Sequence, residues 1–263
     1  MDNSNYTIIE HSEKNLERAA SFIKWRRRIL NILLVITASL GLVEAGMQYR
    51  EDRYVHQLAL QIVQSANAKT PRDKVLALRD YIRTYVTYLS APYFDRSFFR
   101  STTKQTLESG LGYCGEVTRA FINLADAVGI RSQRINLWGS APHVVAEAEL
   151  GPRDLVIVDS QYPPSIKDLE RLDQVILRPE WDDYYTLNLR RLHISWLVSR
   201  VKMEMGPFTY WTENPHALKA LLWFGFSLVV MGIRFGRDLL RYLLRRRGWV
   251  HISEVHALKR MTK

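Results

Sequence analysis

Two apolar segments with basic flanks constrain this chain more than any other feature. Residues 29–47 read ILNILLVITASLGLVEAGM, and residues 217–233 read ALKALLWFGFSLVVMGI. At about 1.5 Å rise per residue the first is roughly 28 Å long as a helix, close to the ~30 Å hydrocarbon core of a bilayer. Lys24, Arg26, Arg27 and Arg28 precede it with Trp25 among them. Tyr210 and Trp211 precede the second segment, and Arg234, Arg237 and Arg245–Arg247 follow it. Aromatic residues suit the membrane interface and Lys or Arg the cytoplasmic side. Glu44 and Lys219 lie close enough to the segment ends to reach the headgroups.

The charge distribution selects the partner. The 263-residue chain carries 37 Lys and Arg against 27 Asp and Glu, a net charge of +10. Residues 234–263 hold nine basic and two acidic side chains, whereas residues 48–215 hold 21 and 20. A nucleic-acid binder spreads its excess over the face that tracks phosphates. Here the excess adjoins the apolar segments, so no nucleic-acid partner is expected. The Leu- and Arg-rich stretch 236–247 reads as a basic amphipathic helix on anionic lipid.

The expected organisation is a cytoplasmic N-terminal segment (1–28), a transmembrane helix (29–47) and an extracytoplasmic domain (48–215, core 70–162). A second transmembrane helix (216–233) and a basic cytoplasmic tail (234–263) follow. Both termini are then cytoplasmic, and the pattern fits a bacterial inner membrane with the central domain facing the periplasm or exterior. Two alternatives stand beside this. Val43-Glu44-Ala45 could be a signal-peptide cleavage site, although 28 residues make a long leader. The second segment, at the short limit for a span, could be a buried core helix.

Within the middle region, Thr70-Pro71-Arg72-Asp73 is a helix start, with Thr70 as N-cap and Pro71 at the first helical position. Val75, Leu78, Ile82, Tyr85 and Val86 give that helix one apolar face through about Leu89. A second helix is expected over 114–128, with Val117, Phe121, Leu124 and Val128 buried and Gly129 as its C-terminal cap. Three β-prone runs, 133–138, 143–150 and 155–160, are separated by short turns. Helices followed by an antiparallel run imply an α+β domain. Residues 165–215 read only as membrane-proximal loop and helix.

Gly110-Leu111-Gly112-Tyr113-Cys114-Gly115 matches G-x-G-x-x-G by letter, but no apolar strand precedes it as a dinucleotide site requires. The glycines instead make a tight loop that delivers Cys114 to a helix start. There, unpaired backbone N–H groups and the positive end of the helix dipole favour thiolate, the reactive form. His143 opens one β-run and Asp159 closes the next, so adjacent strands bring them together. Asp159 can then orient the imidazole, and Cys114, His143 and Asp159 are the expected catalytic residues. The lone cysteine excludes an internal disulfide and any multi-cysteine metal site. No H-E-x-x-H or comparable spacing occurs among the seven histidines, and neither metal nor cofactor is expected. The bland reading of each residue is a small buried hydrophobe for Cys114 and a satisfied core residue for His143.

The stretch LESGLGYCGEVTRAFINLADAVGIRSQRINLWG, with HVVAEAEL and LVIVDSQYP after it, resembles the transglutaminase-like superfamily of papain-type cysteine enzymes. Gly112 and Cys114, Leu124, Gly129 and Ile130, then His143, Glu147 and Asp159 carry the resemblance, and PRDKVLALRDYIRTYVTYLS resembles the family's lead-in helix. Together they cover about 70–162. The resemblance implies a papain-like core, a Cys-bearing helix packed on an antiparallel sheet, here flanked by two transmembrane helices. It also implies thioester chemistry on amide bonds of envelope proteins or peptides, by hydrolysis or acyl transfer. The family's common Trp two positions after the His is Val145 here, a departure near the imidazole. Glu116 and Glu147 are expected to be structural, as a helix-start acid and a sheet-surface acid. The backbone N–H of Cys114 is the natural oxyanion donor and Gln105 a weaker side-chain candidate. The competing function is a non-catalytic membrane scaffold or partner in a cell-envelope or polysaccharide assembly.

Overall fold

A computed structural model describes residues 4–89, 101–140, 142–167, 169–186 and 208–248. Residues 90–100, residues 187–207 and those beyond residue 248 lie outside the described residues. The chain divides into two units, Glu44–Leu218 and a second made of Met1–Val43 with Lys219–Lys263.

The first unit is α+β, with helices packed on an antiparallel sheet. Its elements begin with the end of α1 (Ser4–Ser65), then α2 (Pro71–Tyr85) and β1 (Thr87–Tyr88). Next come α3 (Thr103–Ser109), β2 (Leu111–Gly112) and α4 (Cys114–Ala127). The strands β3 (Ser132–Gly139), β4 (His143–Gly151) and β5 (Asp154–Val158) follow. Then come α5 (Leu172–Val175), β6 (Trp181–Tyr185), α6 (Thr209–Glu213) and the first residues of α7 (Pro215–Arg246).

α2 starts where the cap predicts. Asp73 N–H donates to Thr70 Oγ1 and Thr70 N–H to Asp73 Oδ2, both at 3.1 Å, a reciprocal capping box. Val75, Leu78 and Ile82 are fully buried on its inner face, while Tyr85 is exposed. The helix ends four residues before Leu89 because the backbone there pairs elsewhere. Thr87 N–H donates to Gly110 O at 2.8 Å and Leu89 N–H to Gly112 O at 3.0 Å, a short parallel pairing of β1 with β2.

The four-stranded sheet has the order β5-β4-β3-β6 and all its pairings are antiparallel. Alternation along β4 divides the core. Ala146 and Ala148 join α1, α2 and α4 in one apolar cluster; Val145 joins Ile135, Leu137, Ile157 and Trp181 in another. The fourth strand, β6, lies within 165–215, where the sequence predicts only loop and helix. Its WDDYY has no apolar alternation; among the described residues it is an edge strand bonded only to β3. The core also begins earlier than residue 70. Val55, Ala59 and Ile62 of α1 are buried against it, since α2 and α4 leave an apolar face to be covered.

In the second unit, α1 and α7 pair antiparallel. Arg27 meets Asp238 at 3.0 Å, Asn31 accepts from Arg234 at 3.0 Å, and Ser227 Oγ donates to Thr37 Oγ1 at 2.7 Å. Gly41 faces the Phe224 ring so closely that an added Cβ would stand 2.8 Å from it. Residue numbers rise along one helix as they fall along the other. Around these contacts, Val35, Leu42, Leu228 and Val229 are all more than half exposed. Both helices are long and apolar enough to cross a membrane, with mean hydropathy of 2.0 and 1.6 in their most apolar windows.

Candidate active site

The glycine loop works as a delivery device. Gly110 caps α3 in the left-handed conformation, φ +63, which a side chain adopts only at a cost. Gly112 sits so tightly that an added Cβ would stand 3.0 Å from the Thr106 methyl and 3.3 Å from Val117 and Val86. The chain then turns into α4 with Cys114 as its first residue. Glu116 Oε2 accepts the Tyr113 N–H at 3.1 Å, so this acid is the helix-start cap that its position suggests.

α4 is pinned to the sheet next to the sulfur. Thr118 lies one turn beyond Cys114 on the same helix face, and its hydroxyl donates to Val144 O at 2.9 Å. The backbone N–H of Val144 favours the Cys114 thiolate. His143 is the neighbouring residue, so one strand segment presents both an amide donor and an imidazole to the thiol.

Asp159 directly follows β5, the strand beside β4. His143 Nε2 lies 3.0 Å from Asp159 Oδ2, and both side chains are buried. The carboxylate is fixed from three further directions. Its Oδ2 accepts from Ser165 N–H at 2.8 Å and Ile166 N–H at 3.1 Å, and Oδ1 accepts from Gln161 N–H at 3.1 Å. Arg83 of α2 donates through Nε to the Asp159 backbone carbonyl at 3.0 Å. With Nε2 occupied by Asp159, Nδ1 is the ring nitrogen left for the sulfur.

The electrostatics follow from these contacts. Burial raises the Cys114 thiol, but the hydrogen bond and charge of His143, the Val144 N–H and the charge of Arg134 outweigh it. The net result lies below the usual thiol value. Burial lowers the His143 imidazole, but the hydrogen bonds and charges of Asp159 and Cys114 overcome this and hold it up at about 9. Asp159 is raised by burial and lowered more by His143 and its backbone donors, which keeps it ionised. Such an arrangement can store a thiolate beside an imidazolium, with a nucleophile and a proton donor ready at neutral pH.

Some of the surrounding residues were not visible from the sequence. Trp181, from the unpredicted strand β6, stacks on His143 with ring centroids 6.1 Å apart and planes 21° from parallel. Val145 is fully buried in the same apolar cluster as Trp181. The indole beside the imidazole thus comes from another strand, and the small Val145 leaves room for it. Arg134, Thr118 and Arg83 carry no motif that marks them. Two secondary readings change. Glu147 is buried, 7% exposed, and accepts from Gln133 Nε2 at 2.8 Å, so it is not a sheet-surface acid. Gln105 is exposed on α3 and spends its carbonyl oxygen capping the Thr102 N–H at 3.0 Å, a structural task.

The sequence model of the Transglutaminase-like superfamily matches residues 56–160, which include Cys114, His143 and Asp159. Three solved structures are similar in part. A candidate cysteine protease from Cytophaga hutchinsonii is 21% identical, with 43% of this chain and 38% of that one covered at a TM-score of 0.37. A candidate protease from Parabacteroides distasonis is 12% identical, with 51% and 31% covered at 0.32. A TGase is 17% identical, with 45% and 35% covered at 0.32. The chain spans 31–38% of the length of these structures. No curated protein matches the sequence. The similarity to the Transglutaminase-like superfamily thus spans residues 56–160, under half of the chain.

Proposed function

We infer that this protein is a membrane-anchored cysteine enzyme that opens amide bonds through a thioester. The observation that carries the reading is the buried 3.0 Å contact of His143 with Asp159, together with the lowering of the Cys114 thiol by His143. The Cys114 thiolate attacks the amide carbonyl carbon. The tetrahedral oxyanion is met by backbone N–H groups at the start of α4, which have no partner within the helix. The His143 imidazolium gives its proton to the leaving nitrogen, the C–N bond breaks, and a thioester remains. Water or an amine then attacks, His143 takes the proton back, and the thiolate leaves. Water makes the enzyme a protease or amidase, and an amine makes it an acyl transferase.

Membrane anchoring is supported by the exposed apolar faces of α1 and α7 and by their buried Thr37–Ser227 contact, a polar pair of the kind that holds helices together in lipid. The basic residues lie at the terminal ends of the pair, where Arg27 and Asp238 meet. By the positive-inside rule both termini are cytoplasmic and residues 48–215 face outward. The substrates are then amide bonds of envelope proteins or peptides. The Arg-bearing end of α7 and the tail rest on anionic lipid.

The test is alkylation of Cys114 by iodoacetamide across pH, with the full chain in detergent micelles. The rate should reach its plateau well below pH 8.5, the usual thiol midpoint, and His143→Ala should remove that advantage. Hydroxylamine should trap the acyl group of an amide-bearing peptide as a hydroxamate. A profile with an ordinary midpoint, or a sulfur that never reacts, would leave a non-catalytic scaffold in an envelope assembly.

A further inference from the structure

Behind the Cys114 turn lies a charged cluster that the thioester chemistry does not use. Arg134 on β3 has its side chain 11% exposed, and Glu213 on α6 only 3%. Arg134 Nε donates to Glu213 Oε1 at 2.7 Å, and a second nitrogen, Nη2, reaches Glu213 Oε2. Nη2 also donates to the carbonyl of Gly115 at 2.9 Å. Gly115 directly follows Cys114, so the guanidinium is bonded to the helix turn that holds the sulfur. Arg119 of α4 approaches the same Glu213 carboxylate at 3.5 Å.

The other charged groups around the site are placed on separate elements. Glu116 and Arg119 come from α4, His143 from β4 and Asp159 from the end of β5. Glu51 of α1 is buried and accepts the Lys104 N–H at 3.2 Å. Among these, Arg134 is the cation that joins the first turn of α4 directly to α6. That segment is also tied to α4 at its far end, where Asn123 Nδ2 donates to Glu213 O at 3.3 Å and to Asn214 Oδ1 at 3.0 Å. Glu213 stands two residues before the start of α7.

We propose that Arg134 is a positioning residue for the Cys114 thiolate, and that Glu213 sets how much of its positive charge the sulfur feels. A guanidinium held by a carboxylate on one side and by a first-turn carbonyl on the other has little freedom to move. Its field at the sulfur is fixed by that seating. Removing the carboxylate leaves the cation unbalanced and favours thiolate. Removing the cation leaves a buried anion nearby and favours thiol. The interaction between Arg134 and Cys114 registers on both groups.

The inference rests on the cysteine-enzyme reading, and one experiment separates their failures. Iodoacetamide alkylation is followed across pH on the full chain in micelles, for the parent, Glu213→Gln, and the double variant Arg134→Met with Glu213→Gln. Removing both partners of a buried pair is tolerated better than removing one, so the double variant guards against simple misfolding. The midpoint should fall in Glu213→Gln and rise in the double variant, each by about one pH unit, which is tenfold in thiolate population. A parent midpoint near 8.5 overturns the enzyme reading itself. A low parent midpoint that neither variant moves overturns only the role of Arg134. If circular dichroism shows that every variant loses its fold, the pair is a structural clasp and the proposal also fails.

Discussion

His143 Nε2 stands 3.0 Å from Asp159 Oδ2 inside the protein, and that carboxylate also accepts three backbone N–H groups. The carboxylate can neither rotate away nor take up a proton easily. The imidazole is therefore held in one orientation, with its other nitrogen free for the sulfur. The loop after β5 does this by folding back over Asp159, and Arg83 of α2 fixes the backbone of the same residue.

Asp159→Asn should loosen the loop after β5, because the amide nitrogen turns a donor toward a backbone N–H, and should be severe in function. The amide keeps the shape but loses the charge that supports the imidazolium. Turnover of an amide-bearing peptide should drop by about 10²-fold or more, the range of positioned acid–base catalysis. The Cys114 alkylation midpoint should move up toward 8.5. Equal turnover in the variant would show that the carboxylate takes no part.

The pH dependence of turnover should be bell-shaped. Below the lowered Cys114 value the sulfur is protonated and cannot attack, so activity rises with pH there. Above about 9 the imidazole is neutral and cannot protonate the leaving nitrogen, so activity falls. Alkylation by iodoacetamide needs no proton donor and should show only the rising limb. A falling limb in both assays would point to unfolding rather than to His143.

Trp181 should matter through its ring. Trp181→Phe keeps an aromatic face beside the imidazole and should hold turnover within a few-fold. Trp181→Ala opens a cavity in the second apolar cluster, costing about 3–5 kcal/mol of stability. It should also lower kcat by roughly tenfold or more with KM little changed, because the imidazole loses its support. A thermal melt reads the first effect and steady-state kinetics the second. Unchanged kcat in folded Trp181→Ala would refute the support.

The orientation of the helix pair can be read by labelling. In a Cys114→Ser background, Arg153→Cys should react with a membrane-impermeant maleimide in cells or spheroplasts whose inner membrane is intact. Ser21→Cys should react only after that membrane is broken. Arg153 lies in the turn between β4 and β5, and Ser21 near the basic start of the first apolar segment. The opposite pattern would invert the proposed topology and move the substrates to the cytoplasm.

Much of this protein is written locally. The capping box at Thr70 and Asp73, the left-handed Gly110 and Gly129, and the strands after α4 follow from short-range rules of dihedral preference and apolar period. So does the order of Cys114, His143 and Asp159, because a cysteine opening a helix and two polar residues at the ends of apolar strands are visible in a linear chain. The apolar segments announce themselves by length and composition. Packing decided the rest. β6 exists because β3 offers an edge, and its own residues do not call for a strand. Trp181 reaches His143 across the sheet, 38 positions away in sequence. Glu147 is inside although a Glu in an alternating strand reads as exposed, and it is satisfied there by Gln133. Arg134 and Glu213 are ordinary charged residues until the fold buries them together beside the Cys114 turn. Short-range preferences fix where elements begin and which face is apolar. Long-range burial fixes which polar groups lose water, and those groups set the ionisation of the sulfur.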